Sequence, residues 1–339
     1  MNAMVAGLSE SRIAVSFIVE YYKHPDQLYD LCSRLQHPQL EVLIHADSNT
    51  SNDIKAFDHV AFSFSNVRIV YSARLNVHEV RAYNRAALLA RGWLLAFSQD
   101  DRIPPPAPPT WVDRVLEIYR IMPPAFAALG LHRGSYWTWK SVPRFPMQLS
   151  GACGDAATDA SGLNSWQPLH TRHLLQPVAF AGFLNIGPVF VRRKAFLAVG
   201  GFNVSYSPRG QPGIGLDAEI TAKLWLHGYQ AGLLCPALET FFRNGCGGKG
   251  TIKTAAASAL RQQQEERNTQ TFFNQFSSNA RSVIISRVNA SYRQLHQDPD
   301  RLPALRRVIT KCLNCGSATD MALLQERFHS YDALCAKST

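Results

Sequence analysis

The chain has 339 residues, 46% of them hydrophobic and 10% aromatic, with 18% charged and a formal net charge of +10. That apolar fraction suffices for a sizeable core and excludes whole-chain disorder, and no fixed-period self-similarity points to a repeat architecture. The positive balance fits nucleic acid, an anionic membrane surface or a phosphate-bearing substrate, and charge alone does not separate them.

In chain order, residues 1–12 lack the unbroken apolar run of a signal peptide. Ala14–Val19 is a short β-rich run, read as a buried strand, and Pro25 opens a helix with Leu28, Leu31, Cys32 and Leu35 at helical spacing. Glu41–His45 is a second strand, stopped by the turn- and cap-forming cluster Asp47-Ser48-Asn49-Thr50. Val67–Tyr71 is a third strand, Val80–Ala90 a helix ended near Gly92, and Trp93–Phe97 a fourth strand. This alternation predicts a mainly parallel α/β sheet, in which ligands bind beyond the carboxyl ends of the strands.

The run Ile103-Pro104-Pro105-Pro106-Ala107-Pro108-Pro109 is a rigid turn into a helix over Trp111–Arg120. Residues 130–175 are rich in Gly, Trp and His with weak periodicity and read as long loops. Regular structure resumes with a strand over Gly187–Val191, a short helix over Arg192–Val199 closed by Gly200-Gly201, and an amphipathic helix over Asp217–His227 stopped by Gly228. From Ala255 the pattern is helical and basic, interrupted at Pro299–Pro303. The seven cysteines form an odd, scattered set, and the single pair Cys312/Cys315 has no second CxxC to complete a zinc site. No apolar stretch of about 18 residues occurs, so no transmembrane helix is expected. The expected location is therefore cytoplasmic.

Four segments carry candidate chemistry. Ser98-Gln99-Asp100-Asp101 follows the fourth strand, where carboxylates hold a hard divalent cation through oxygen; a solvated acidic turn reads equally well. Asp217 opens a helix, where an Asp is either a cap favoured by the helix dipole or a general base for an incoming hydroxyl. Asp47 is either a turn former or an acceptor for a base or ribose. Arg243-Asn244-Gly245-Cys246-Gly247-Gly248-Lys249-Gly250 lacks P-loop spacing, and is either a flap bringing Arg243 and Lys249 over phosphates or a plain linker.

In this order the pieces from about Val15 to Asn244 resemble the family-2 glycosyltransferases of GT-A fold. Val15–Pro25 is similar to the opening strand and nucleotide turn, with Glu20-Tyr21 in place of the usual Pro-Thr. Asp47 falls at the uracil-contacting Asp. Arg81-Ala82-Tyr83-Asn84 resembles a helix ending in Arg-Asn, with Asn84 retained and Tyr83 in place of the Arg; Arg81 is the candidate substitute. Gln99-Asp100-Asp101 matches the Asp-x-Asp element with Gln at the first carboxylate and the metal-binding Asp retained as Asp101. The segment Asn185–Phe190, Arg192-Arg193, Gly200-Gly201-Phe202 and Gly215-Leu216-Asp217, continuing to Gly228-Tyr229, is the most specific match. There Leu216 replaces a Glu and Asp217 keeps the base position. No Gln-x-x-Arg-Trp segment is present, which argues against a processive polysaccharide synthase.

The resemblance implies a GT-A domain over 11–250, in which 130–175 is the loop-rich insert; beyond the resemblance the helical, basic pattern reads as a C-terminal extension over 251–339. The resemblance also implies an inverting, metal-dependent transferase that moves a sugar from a nucleotide-diphosphate sugar, UDP-linked as first expectation, to a hydroxyl on a glycan, glycoprotein or small molecule. Asp101 would hold Mn²⁺ or Mg²⁺ with Asp100 in support, and Tyr21, Asp47, Arg81 and Asn84 would serve the nucleotide. Asp217 would be the base, and Arg243 and Lys249 would offset leaving-group charge. Trp137, Trp139 and Trp166 are candidates for stacking on sugars. The losses at Gln99 and Leu216 keep a non-catalytic nucleotide-sugar or carbohydrate binder as the alternative. Arg192, Arg193 and Lys194 are expected near the diphosphate, and Arg301, Arg306, Arg307 and Lys311 on a basic tail that offers peripheral contact with an anionic membrane. No nucleic-acid motif accompanies the charge, and nucleic acid is not an expected partner.

Overall fold

A computed structural model describes residues 13–72, 77–100, 102–105, 109–131, 134–135, 178–234, 243–244 and 255–313. The chain opens with β1 (Val15–Tyr21), α1 (Pro25–Arg34), β2 (Leu40–Ala46), α2 (Ser51–Ser63), β3 (Val67–Tyr71), α3 (His78–Leu89) and β4 (Leu94–Gln99). There follow β5 (Arg102–Ile103), α4 (Trp111–Ile121), β6 (Phe126–Gly130), β7 (Gly134–Ser135), β8 (Val178–Phe180), β9 (Phe183–Leu184) and β10 (Val189–Arg192). The rest is α5 (Arg193–Ala198), α6 (Leu216–Leu226), β11 (Gln230–Leu234), β12 (Arg243–Asn244), α7 (Ala255–Gln275), α8 (Ser278–Gln297) and α9 (Arg301–Leu313).

The central sheet has eight strands in the order β3-β2-β1-β4-β10-β6-β11-β8, so the predicted α/β architecture is present. β3, β2, β1 and β4 are parallel neighbours; β10 runs against both β4 and β6, and β8 runs against β11. Every residue of β1 and β2 is buried, as strands covered on both faces must be. Helices supply the cover: α3 packs on β1 and β2, and α1 packs on α2. The cap-rich cluster seen in the sequence does start a helix. Thr50 and Asp53 form a reciprocal capping box at the head of α2, with Thr50 Oγ1 and backbone N both donating to Asp53 Oδ2.

The C-terminal helices share the same hydrophobic core. Phe272, Phe276, Ile284, Val288, Tyr292, Leu295, Leu305 and Val308 are buried in one cluster with the sheet residues. Polar contacts fix the docking: Tyr292 Oη donates to the Phe180 carbonyl at 2.9 Å, and Arg301 Nε to the Ile121 carbonyl at 3.2 Å. Arg287 donates to the Trp225 carbonyl. Several of the basic residues of this region are thus spent on backbone carbonyls of the core. Among the described residues, no helix is long and apolar enough to cross a membrane.

Candidate active site

The carboxyl ends of β1, β2 and β4 lie side by side, and the turns that follow them carry polar side chains that bind backbone groups at this end of the sheet. Asp47, directly after β2, is buried and accepts from the backbone N–H groups of Val77 and His78 at 2.8 and 2.9 Å. It therefore caps the start of α3 from a neighbouring turn, a charge–dipole contact as well as two hydrogen bonds. Asp100, directly after β4, is buried and accepts from Tyr22 N at 2.8 Å; its Oδ2 also lies 2.9 Å from His24 Nδ1. These bonds tie the turn after β1 to the end of β4. Tyr21 is not brought to the cleft: its side chain is fully buried, its ring meets Phe57 edge-on, and its hydroxyl donates to Asp53 at 2.5 Å. Burial, followed by that carboxylate, pushes its phenol above the ordinary range.

Asp217 enters from the other side. Its helix, α6, is preceded by Gly215 in the left-handed region (φ 78°), a backbone conformation that favours glycine and turns the chain into the helix. Asp217 Oδ2 accepts from Asn185 Nδ2 at 3.1 Å, and Oδ1 from the backbone N–H of Ala218 at 3.0 Å. Asn185 precedes β10, and the register of β10 sets Val189 beside Phe97 near the end of β4. Asp217 thus stands at the same end of the sheet as Asp100. Burial pushes its carboxyl up to about 6, against the opposing pull of the Ala218, Asp217 and Ile186 N–H groups and Asn185. A carboxylate that holds its proton near 6 and is oriented by an amide is equipped to accept a proton close to neutrality.

Two further candidates hold the frame. Asn84 forms a two-way clamp with Phe202, donating to its carbonyl at 2.8 Å and accepting from its N–H at 2.9 Å. Gly201 is required beside it, because a Cβ there would fall 2.7 Å from Asn84 Oδ1 at a φ of +64°. Arg81 donates to the carbonyl of Ser207. Both residues tie α3 to the 202–207 segment that leads to Asp217. That segment is also gripped from the C-terminal helices: Asn268, fully buried, donates to the carbonyls of Tyr206 and Ile214 at 2.9 and 2.7 Å. Gln275 donates to the buried Glu219 at 3.2 Å.

The expected basic cluster is not at this end. Because β10 is antiparallel to β4, its last residue, Arg192, lies beside Leu94 at the amino end of β4. Arg192 there donates to the carbonyls of Phe126 and Tyr119 and stacks on Trp93 and Tyr119, while Arg193 donates to Ala87 and Leu88. The expectation that Arg192 and Arg193 lie near the diphosphate fails because β10 is one of the antiparallel strands of the mainly parallel sheet. Arg243 lies better, since β12 pairs with β5 and sets its backbone beside Ile103, two residues beyond Asp101. Asp101, Lys249, Trp137, Trp139 and Trp166 lie outside the described residues. Asn185, which orients Asp217, and Glu79, whose carboxylate accepts from Gln99 Nε2 at 2.6 Å, were not singled out for these roles by sequence reasoning.

No protein-family model and no curated protein sequence matches the chain. Among solved structures it resembles a mannosyltransferase from Pyrobaculum calidifontis, determined in complex with GDP-Man and Mn²⁺, at 15% identity and a TM-score of 0.52. The match covers 93% of this chain and 79% of that one. The chain has a GT-A glycosyltransferase-like fold. Lesser overlaps link it to GalNAc-T7 bound to UDP, GalNAc and Mn²⁺ (12% identity, TM-score 0.42) and to TarS of S. aureus (14%, 0.43). They cover 67% and 68% of this chain but only 43% and 36% of those proteins. The candidate site as its geometry presents it comprises the turns after β1, β2 and β4, the head of α3, and the head of α6.

Proposed function

We propose that this chain is an inverting, metal-dependent glycosyltransferase that takes a nucleotide-diphosphate sugar, with UDP and GDP as the donor nucleosides to test first. The observation that carries the reading is Asp217: an amide-oriented carboxylate with its pKa raised to about 6, at the end of the sheet where ligands bind. It would take the proton of the acceptor hydroxyl as that oxygen attacks the anomeric carbon, and the sugar–phosphate bond would break with the nucleotide leaving on the opposite face. Asp47 and the head of α3 would meet the nucleoside. Asp100 supports the turn at Tyr22–His24, and its oxygens belong to a donor set that suits a hard cation.

Asp101, the next residue in the chain, would hold the Mn²⁺ or Mg²⁺, with Asp100 fixing the turn beside it. When bound, the metal offsets charge on the departing diphosphate. Arg243, beside β5, and Lys249 would add positive charge on the same side. The P. calidifontis enzyme of like fold was solved with GDP-Man and Mn²⁺, which supports a nucleotide sugar and a divalent metal as the classes to try.

The test is slow hydrolysis of UDP- and GDP-sugars by the full chain with Mn²⁺ and no acceptor. Release of the free nucleotide that stops in chelator supports the reading. Binding without release supports the non-catalytic alternative, and absence of both overturns the proposal.

A further inference from the structure

The amino end of the central sheet, opposite the candidate site, exposes apolar side chains in one place. Arg193 gathers them: its backbone N–H donates to the Trp93 carbonyl at 2.8 Å, and its guanidinium to the carbonyls of Ala87 and Leu88 at 3.3 and 3.4 Å. Leu197 lies one helical turn further along α5, on the Arg193 side. The end of α3, the start of β4 and α5 thus meet around one arginine, and Leu88, Leu89, Trp93 and Leu197 are 66, 52, 37 and 40% exposed there. Large apolar side chains left together at a surface mark an interaction site. The same segments are basic. Residues 64–68, 87–94, 118–124 and 190–200 carry Arg68, Arg91, Arg120, Arg192, Arg193 and Lys194 and contain no Asp or Glu. The acid beneath them, Glu41, is fully buried and shared by Arg68 and Arg91, so one of those two charges is left over. Arg192 and Arg193 bind neutral carbonyls, which hold the side chains in place and leave their positive charge whole. Arg120 and Lys194 are exposed.

We propose that this end of the molecule is a docking surface for an anionic lipid bilayer: Leu88, Leu89, Trp93 and Leu197 enter the headgroup layer, and the surrounding Arg and Lys side chains meet the lipid phosphates and carboxylates. Trp93 suits that depth, with its ring against Tyr119 and the Arg192 guanidinium 5.4 Å from its centroid. A second copy of the chain fits poorly, because a two-fold contact through this surface would bring like charges together. Nucleic acid would answer the charge, but the exposed leucines have no counterpart in a phosphate backbone. The elements involved are α3, β4 and α5, not the basic C-terminal helices. Because β4 has six residues, the carboxyl end of the sheet, with Asp100 and Asp217, would stand about 20 Å from the lipid. The inference does not depend on the nucleotide-sugar reading.

Co-sedimentation of the full chain with phosphatidylcholine vesicles carrying about one third phosphatidylserine, against vesicles of phosphatidylcholine alone, tests this. Wild type should bind the anionic vesicles about tenfold more tightly or better, and the difference should shrink in high salt. K194Q should weaken that binding about fivefold, the worth of one cation near the surface. L88S/L197S should weaken it about tenfold or more, since neither serine gains from leaving water. K55Q removes an equally exposed lysine in the first half of α2, towards the carboxyl end of the sheet, and should bind as wild type does. If L88S/L197S folds poorly by circular dichroism, K194Q against K55Q decides alone. The proposal falls if wild type binds neither vesicle, if it binds both alike, or if K55Q costs as much as K194Q. A dimer in sedimentation velocity that L88S/L197S disrupts, with no vesicle binding, would assign the surface to a second copy and overturn it. Retention on poly-glutamate with no vesicle binding would assign it to an acidic protein and overturn it equally.

Discussion

The two ends of the central sheet each hold an acid, fully buried at one end and half-buried at the other, and they treat it in opposite ways. At the amino end Glu41 is fully buried, yet every oxygen is met: Ser16 Oγ and the Arg91 N–H donate at 2.6 Å, and Arg91 Nε and Arg68 at 2.8 and 2.7 Å. Burial alone would raise its carboxyl, but Ser16, the Arg91 backbone and side chain, and the charge of Arg68 together hold it below the ordinary range. At the carboxyl end Asp217 has one side-chain donor, backbone N–H groups and, among the described residues, no paired cation, and desolvation prevails, pushing it up to about 6. A carboxylate that is satisfied stays charged and anchors strands. One that is met by neutral donors alone carries a desolvation cost in the folded state and gains the capacity to exchange a proton.

The largest expected effect breaks the carboxyl-end half of this contrast. Asp217→Asn keeps the shape and the Ala218 contact but cannot accept a proton. Transfer should fall about a thousandfold, within the range of general-base contributions, while calorimetric binding of UDP or GDP is preserved. Turnover within tenfold of wild type would remove Asp217 from the chemistry. Its pH signature has a definite sign. The rate of wild type should climb as pH rises through about 6, where the base loses its proton. For stability the raised pKa works the other way: the folded state binds the proton more tightly than the unfolded chain does. The cost of the charged form therefore grows from about pH 4 and is complete above about 6. Asp217→Asn should accordingly unfold no lower than wild type at pH 7.5.

Glu41→Gln tests the other half. It deprives two half-exposed arginines and a buried hydroxyl of their shared acceptor charge, and at about 1.5–3 kcal/mol for hydrogen bonds to a charged group the loss should be about 2.5 kcal/mol. Chemical denaturation at pH 7 should show a midpoint shift of that size with nucleotide affinity unchanged. Because the folded-state pKa is depressed, the stability that Glu41 contributes is present above the ordinary glutamate range and is lost as pH falls through its lower folded value. The wild-type and Glu41→Gln curves should converge in acid. Curves that stay parallel down to pH 3 would mean the charge contributes nothing.

The same contrast explains what the sequence could reveal. Strand periodicity located β1, β2, β3 and β4 within a residue or two, because they are continuous apolar runs bounded by turn residues. Strands such as β6, β8 and β11 escaped, since Phe126–Gly130 and Gln230–Leu234 are short and contain Ala and Gly, and nothing local distinguishes them from loop. Strand direction was not legible either, and the reversal at β10 moved Arg192 and Arg193 to the far edge. The places of Asp100 after β4 and Asp217 in a first helical turn were legible because spacing to a strand end or helix head marks them. Glu79 was not, for an acid in a first helical turn is ordinary and its partner Gln99 lies 20 residues away. Asn84 and Arg81 were picked out as nucleotide contacts, whereas their side chains are engaged by Phe202 and Ser207.

The smallest expected effect lies between the two ends, where α7 meets the loop before Asp217. Asn268 has no water to fall back on: it is fully buried, and its amide is the donor for the Tyr206 and Ile214 carbonyls, while Arg267 satisfies its oxygen at 3.0 and 2.9 Å. Asn268→Ala strands both carbonyls, and at about 1–3 kcal/mol for an unsatisfied buried group the net loss should be about 2 kcal/mol. The same change should loosen the turn that aims Asp217, lowering kcat several-fold while the apparent pKa near 6 persists, because the burial that raises it is unchanged. Asn268→Asp is the sharper comparison. It keeps the size but replaces the donating amide with a second acceptor facing two carbonyls, and should cost more than the alanine. If the aspartate variant were the milder of the two, the grip of the C-terminal helices on the segment before Asp217 would rest on packing by Phe272 and Phe276 and not on this amide.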